Sequence, residues 1–112
     1  MEFVDKELTK SDLARLRVEY GDYVKVTVDI ENEWMVVGCE LHADGERVLL
    51  EKGSRSDNVW GGGVSFIDKQ VDTTAVLNIR PRLGNNNLEI LDKKTREKTH
   101  FIIRKYFQKL WY

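Results

Sequence analysis

Residues 23–42, YVKVTVDIENEWMVVGCELH, alternate apolar and polar side chains with a period of two, break at a short polar stretch and then resume the alternation. That period belongs to a strand buried on one face, and the break at Asn32 and Glu33 marks a hairpin turn. With those two residues at the turn, or a four-residue loop over 31–34, Val24 faces Leu41, Val26 faces Cys39, Val28 faces Val37 and Ile30 faces Met35. All eight side chains are apolar. The opposite face sets Tyr23 against His42, Lys25 against Glu40, Thr27 against Gly38, Asp29 against Val36 and Glu31 against Trp34. This second face is mostly polar and is expected to stay uncovered.

Working outward, Leu8-Thr9-Lys10-Ser11-Asp12-Leu13 is a helix start, with Thr9 as N-cap, Asp12 as the capping-box acid and Leu8 stapled to Leu13. The helix is predicted over 10–20, with Leu13, Leu16 and Tyr20 on its core side and Gly21 as its stop. Glu2 to Asp5 offer a fifth, short edge strand. After the hairpin, Asp44 is the expected cap of a two-turn helix closing at Gly53, with a strand over 47–51 as the alternative. Val59–Phe66 and Val71–Ile79 read as a second hairpin turning at Asp68 and Lys69, pairing Phe66 with Val71, Val64 with Thr73, Gly62 with Ala75 and Trp60 with Leu77. Pro81 ends that strand and a loop follows over 82–87. Asp92 caps a long C-terminal helix to about residue 110, whose buried stripe is Thr99, Ile102, Ile103, Tyr106, Phe107 and Leu110. The sum is one α+β domain over residues 1–112, of order (β)αββαββα. It is a two-layer fold with a mainly antiparallel sheet of two β-hairpins and two or three helices on one face.

A chain of 112 residues is long enough to bury a core of its own, and its 18 basic and 19 acidic residues point to no particular class of partner. The charge is unevenly placed, because residues 92–109 hold seven Lys or Arg against two acids. Cys39 is alone, which excludes an intrachain disulfide and a multi-cysteine zinc site and suits a reducing compartment. No apolar run is long enough for a membrane span and the charged N-terminus lacks a signal-peptide core, so a cytoplasmic protein without membrane contact is expected.

Three stretches are familiar together: Gly38-Cys39-Glu40-Leu41-His42-Ala43-Asp44; Leu49-Leu50-Glu51-x-Gly53-Ser54 leading to Trp60-Gly61-Gly62-Gly63; and Asn78-Ile79-Arg80-Pro81-x-x-Gly84-Asn85 leading to Leu88-Glu89-Ile90. They resemble an uncharacterised family of short bacterial and archaeal proteins, a domain of unknown function. The resemblance covers nearly the whole chain and implies no activity.

The residues themselves offer several candidate sites. Glu40, His42 and Asp44 stand at alternate positions, so a continuing strand would project all three from one face as an acid/base or metal cluster. The competing reading is an ion pair of Glu40 with Lys25, a cap at Asp44 and a half-exposed histidine, and no metal or cofactor is expected. Trp60 before three glycines either packs in the core or walls a pocket; no Lys-Ser or Lys-Thr follows, so this is not a phosphate loop. Asn78, Arg80, Asn85, Asn86 and Glu89 flank one turn, where Arg80 offers a planar fork for an anion or else pairs with a neighbouring acid. Lys94, Lys98, Phe101, Arg104 and Lys105 share one side of the C-terminal helix, either as a nucleic-acid track or as an ordinary charged solvent face.

The expected function is a binding or regulatory module that takes a small anionic ligand or a protein partner on the open sheet face around His42, Asn78 and Arg80. One alternative is a small enzyme with His42 as acid or base, Arg80 as anion clamp and Glu40 or Asp44 orienting the histidine. The others are nucleic-acid binding by the C-terminal helix and a homodimer through the open face.

Overall fold

The computed structural model describes residues 1–112. Its five strands are β1 (Glu2–Val4), β2 (Tyr23–Asp29), β3 (Trp34–Val37), β4 (Val59–Ser65) and β5 (Gln70–Asp72), paired antiparallel in the order β1-β3-β2-β4-β5. Three helices, α1 (Lys10–Tyr20), α2 (His42–Glu51) and α3 (Lys93–Tyr106), complete the α+β class and element order expected from the sequence. None of them is long and apolar enough to cross a membrane.

Local hydrogen bonding accounts for where α1 and α3 begin. The Thr9 hydroxyl accepts from the Asp12 N–H at 3.0 Å while the Asp12 carboxylate accepts from the Thr9 N–H at 2.9 Å, so two otherwise unpaired donors are satisfied reciprocally. Asp92 caps α3 by accepting from the Thr95 N–H at 2.9 Å. Helix α2 differs from expectation. Its N-cap is Leu41, which has no side-chain cap to offer, and Asp44 lies inside the first turn, where its charge still favours the helix N-terminus.

Both hairpins keep the predicted faces but shift register by two residues. Val26 pairs with Val37 rather than Cys39, and Val28 with Met35 rather than Val37; in the second hairpin Val64 pairs with Val71 rather than Thr73. One cause serves for both. Each loop has four residues, Ile30–Glu33 and Phe66–Lys69, and ends on a left-handed residue, Glu33 (φ 56°) or Lys69 (φ 53°). The residue before each loop holds it from the side: Asp29 accepts from the N–H groups of Glu31 (2.9 Å) and Asn32 (3.1 Å), and the Ser65 hydroxyl accepts from the Asp68 N–H at 3.1 Å.

Strand β3 stops at Val37 because Gly38 (φ 81°) turns the chain out of the sheet, so the expected pairs of Leu41, Glu40 and His42 with β2 do not form. A Cβ at Gly38 would also lie 2.3 Å from the Tyr20 ring. Strand β5 is likewise shorter than the predicted 71–79. After Asp72 the chain leaves the ladder through a 3₁₀ turn at Val76–Asn78 and a second at Pro81–Leu83.

The helices do not share one face. Helices α1 and α3 pack Leu13, Leu16, Ile102, Ile103 and Tyr106 on Val24, Val26, Val28, Met35, Val37 and Val64, and each large side chain so buried contributes about 2 kcal/mol. Helix α2 covers part of the other face, the one expected to be open, where Leu49 packs with Val36 and Val59. Thr27 and Asp29 are therefore fully buried. The sequence pattern hid this, because Asp29 is compensated by partners far along the chain as well as by its own loop. Its carboxylate accepts from the Ser54 hydroxyl and the Asn32 amide besides the loop N–H groups.

Burial acts to raise the Asp29 pKa, yet these donors overcome it and hold the carboxyl below its ordinary value of 3.8. A depressed carboxylate pKa stabilises the fold above the unfolded value, and that contribution is lost as pH falls through the folded one. Urea titrations between pH 5 and pH 2 should show stability falling more steeply in the wild type than in Asp29→Asn. Equal slopes would remove Asp29 from the acid response.

Candidate functional site

Strand β4 carries no side chain over Gly61–Gly63, and neighbouring groups come down to its backbone. An added Cβ would sit 2.6 Å from Ala75 Cβ at Gly61, 2.3 Å from the Asp72 carbonyl oxygen at Gly62, and 1.8 Å from the Tyr23 hydroxyl at Gly63. The glycines thus serve the close approach of neighbouring groups to the strand.

Over this bare strand lie His42 and Tyr23. His42, the first residue of α2, places Nε2 2.8 Å from the Gly62 carbonyl, which can only accept, so Nε2 carries the hydrogen and Nδ1 is left as an acceptor with no protein donor. Burial pushes the His42 pKa below its ordinary 6.5, helped by the Lys25 charge and opposed by the Gly62 carbonyl and Asp72. Tyr23 crosses Gly63 to donate to Asp72 at 2.7 Å; its own burial, then this bond, push the phenol pKa up. Lys25 donates to the Glu40 backbone carbonyl at 2.7 Å and not to the Glu40 carboxylate. His42, Lys25, Leu41, Ala43, Val76 and Leu77 line a depression of about 280 Å³.

The other expected ligand residues lie in a separate group. Arg80 donates to Glu46 at 2.7 Å and to the Ser56 carbonyl at 2.8 Å, with its guanidinium 5.3 Å from the centre of the Trp60 ring. Its side chain is 11% exposed, so the fork expected to hold an anion is already filled. Trp60 is buried beside it, and its Nε1–H has no acceptor. Glu40 is exposed in the loop before α2, apart from His42 and Asp44 on the helix, and no three His, Cys, Asp or Glu side chains gather closely enough to hold a metal ion.

Asn78 is fully buried and works as a piece of strand. Its Oδ1 accepts from the Gly61 N–H at 2.8 Å while Nδ2 donates to the carbonyls of Gly61 (3.0 Å), Thr73 (3.0 Å) and Leu88 (3.1 Å). The carboxamide thus pairs both backbone groups of Gly61, as a peptide of a continued β5 would. Asn85 does similar work one turn later, donating to the carbonyls of Asn78, Asn87 and Glu89 and accepting from the Leu91 N–H at 2.8 Å. Glu89 accepts from the Thr73 hydroxyl and the Ile90 N–H, and Asn86 is exposed.

A wider concavity, about 860 Å³, runs between β5 and the exposed side of α3. Val71, Asp72, Thr73 and Glu89 form one wall; Arg96, His100, Phe101, Arg104 and Lys105 stand on the helix, with Tyr112 beyond it. Phe101 is 61% exposed. Arg96 donates to the Ile90 carbonyl at 2.9 Å, the Arg104 guanidinium lies 4.1 Å from the centre of the Trp111 ring, and Lys105 meets Glu33 at 3.3 Å. Of the nucleic-acid candidates read from the sequence, Phe101, Arg104 and Lys105 enter this groove, whereas Lys94 and Lys98 are exposed without lining it. Sequence reasoning missed Val71, Thr73, Arg96, His100 and Tyr112. The spacing of Arg96, His100 and Arg104 was the available signal, since residues four apart share a helix side.

Residues 2–106 match the profile of a protein family described as "Protein of unknown function (DUF5674)". No curated protein and no solved structure matches the chain.

Two measurements check this geometry. Asn78→Asp replaces three donated bonds by a carboxylate against three carbonyls and should cost about 3 kcal/mol or more in urea unfolding; a loss below about 1 kcal/mol would overturn the strand-like role of the amide. Nitrogen-detected NMR of His42 should show a hydrogen on Nε2, none on Nδ1 and a titration midpoint below 6.5. The reverse tautomer would contradict the bond to Gly62.

Proposed function

We propose, for a chain that belongs to the DUF5674 family and inherits no assigned activity from it, that the protein is a binding module and that the groove between β5 and α3 takes an anionic ligand. The observation that carries this reading is an exposed Phe101 in a concavity of about 860 Å³ between Arg96 and Arg104, neither of which has a carboxylate within 4.0 Å. Isolated exposed aromatics are ordinary. An aromatic ring in a concavity of ligand size beside unneutralised guanidinium groups is the arrangement that binds a ligand with an apolar body and a negative group.

This moves the binding surface away from the sheet face named from the sequence. There α2 covers part of the surface, Asn78 is bound to backbone and Arg80 to Glu46. The enzyme reading has less support for the same reason: His42 is neutral with a free Nδ1, but the clamp and the orienting acids meant to accompany it are engaged elsewhere or apart from it. The single buried Cys39 supports a reducing compartment, and we place the protein in the cytoplasm on that ground.

The probe for this reading is 8-anilinonaphthalene-1-sulfonate, an aromatic anion whose fluorescence rises when it is shielded from water. The folded protein should bind it, and Phe101→Ala and Arg104→Gln should each weaken binding about fivefold or more, as losing one apolar contact or one charge-assisted bond does. His42→Gln should leave binding unchanged. Unaltered binding in both groove variants would sink the proposal.

A further inference from the structure

The groove has a sheet edge for one wall. Strand β5 is last in the order, so one of its sides pairs with β4 and the other meets no strand. Alternate N–H and C=O groups of an edge strand point away from its neighbour and can pair with an added chain. Just past β5 the protein supplies such a partner itself, since Thr74 bridges Glu89 and the Ala75 N–H donates to the Leu88 carbonyl at 3.1 Å. That pairing ends at once, because the chain passes through Ile90 and Leu91 into α3, pinned there by Arg96 on both carbonyls. Glu89 lines the same groove as Val71, Asp72 and Thr73, so the bridge stands at one end of the groove and the edge beyond it lacks a partner.

The charges beside this edge balance in number, Asp72, Glu89 and Glu97 against Arg96, Arg104 and Lys105, but not in place. Asp72 already accepts from the Tyr23 hydroxyl and the Thr74 N–H, Glu89 from Thr73 and Ile90, and Glu97 meets Lys93 at 3.9 Å. On the helix wall Arg96 and Arg104 are bound to carbonyls and to an indole ring, neither of which neutralises a cation. The groove therefore offers, side by side, backbone that can accept a strand, an apolar ring and a helix wall whose two guanidinium groups meet no carboxylate within 4.0 Å.

We infer that the occupant is a short acidic peptide segment in extended conformation, which adds a strand to the open edge of β5 and turns carboxylates towards Arg96 and Arg104. This rests on the groove being the binding site proposed above. Side chains of a strand alternate, so acidic residues at every second position would face the guanidinium groups while the intervening backbone pairs with residues 70–72. Three residues of edge span about 10 Å, which fits a paired segment of about three or four residues.

The test uses the intact protein and a capped heptapeptide alternating glutamate with valine and phenylalanine, followed by amide NMR shifts and hydrogen exchange. Two analogues carry N-methyl groups on one or the other alternate set of peptide nitrogens, and a third has lysine for glutamate. Binding should shift the amides of Gln70–Asp72 and the resonances of Phe101, and slow exchange at that edge at least tenfold. One methylated analogue should bind like the parent and the other at least tenfold more weakly, because only one set of N–H groups faces β5. The lysine peptide should bind at least tenfold more weakly than the parent.

Equal affinity of the two methylated analogues overturns strand addition, and undiminished binding of the lysine peptide overturns the acidic partner. Oligothymidylate occupying the groove where the peptide does not, or self-association that buries the β5 edge, assigns the site to nucleic acid or to a second copy and also overturns the inference. If the naphthalene sulfonate binds at Phe101 while no peptide does, the peptide inference falls alone. If neither perturbs the groove, both readings fall.

Discussion

Three successive glycines on β4, an inner strand of the sheet, set the terms for everything built around them. Strand β4 pairs with β2 along seven rungs, from Tyr23 with Ser65 to Asp29 with Val59, so its backbone is held firmly while Gly61–Gly63 present no side chains. The space goes to other groups. His42 anchors the start of α2 on the Gly62 carbonyl, Tyr23 lies across Gly63, and Ile103 of α3 approaches Gly62 at 3.1 Å from where a Cβ would stand. A methyl at Gly62 would meet backbone as well as that side chain, a form of overpacking that costs about 1–3 kcal/mol.

The same bareness lets the chain abandon regular pairing after Asp72 without leaving polar groups stranded. Gly61 must find partners for both its N–H and its C=O, and a single carboxamide, Asn78, supplies them. Asn85 then bonds to Asn78, and the irregular stretch from 73 to 91 is held by side-chain amides where a sheet would use main chain. Residues that look like ligand contacts because they are polar and close together turn out to be bonded to the fold. The unsatisfied chemistry lies at the margin, where β5 ends the sheet and α3 runs beside it.

Legibility in the sequence followed the range of the interaction. Thr9 with Asp12, Asp92 with Thr95, and the stripe of Thr99, Ile102, Ile103 and Tyr106 are each set within a few residues, and each is where the pattern places it. Hairpin registers were legible only to within two residues. Period-two alternation fixes which face a side chain takes and is unchanged by a shift of two, whereas the register depends on the loop conformation adopted around Asp29 and Ser65. Asp44 was misplaced as a cap because Gly38 ends β3 early and Leu41 begins the helix instead.

From its sequence alone the chain determined an α+β class, the order of its elements, the starts of two helices and the face each strand residue takes, because these follow from periodicity and hydrogen bonds among near neighbours. Tertiary structure decided that α2 covers the second face, that Asn78 and Arg80 point to internal partners, and that Arg96, Phe101 and Arg104 come to stand beside the open edge of β5. A polar side chain has the same local pattern whether it meets water or a buried carbonyl. The choice belongs to partners such as Gly61 for Asn78 or Glu46 for Arg80, 17 and 34 residues away, which only folding brings within reach.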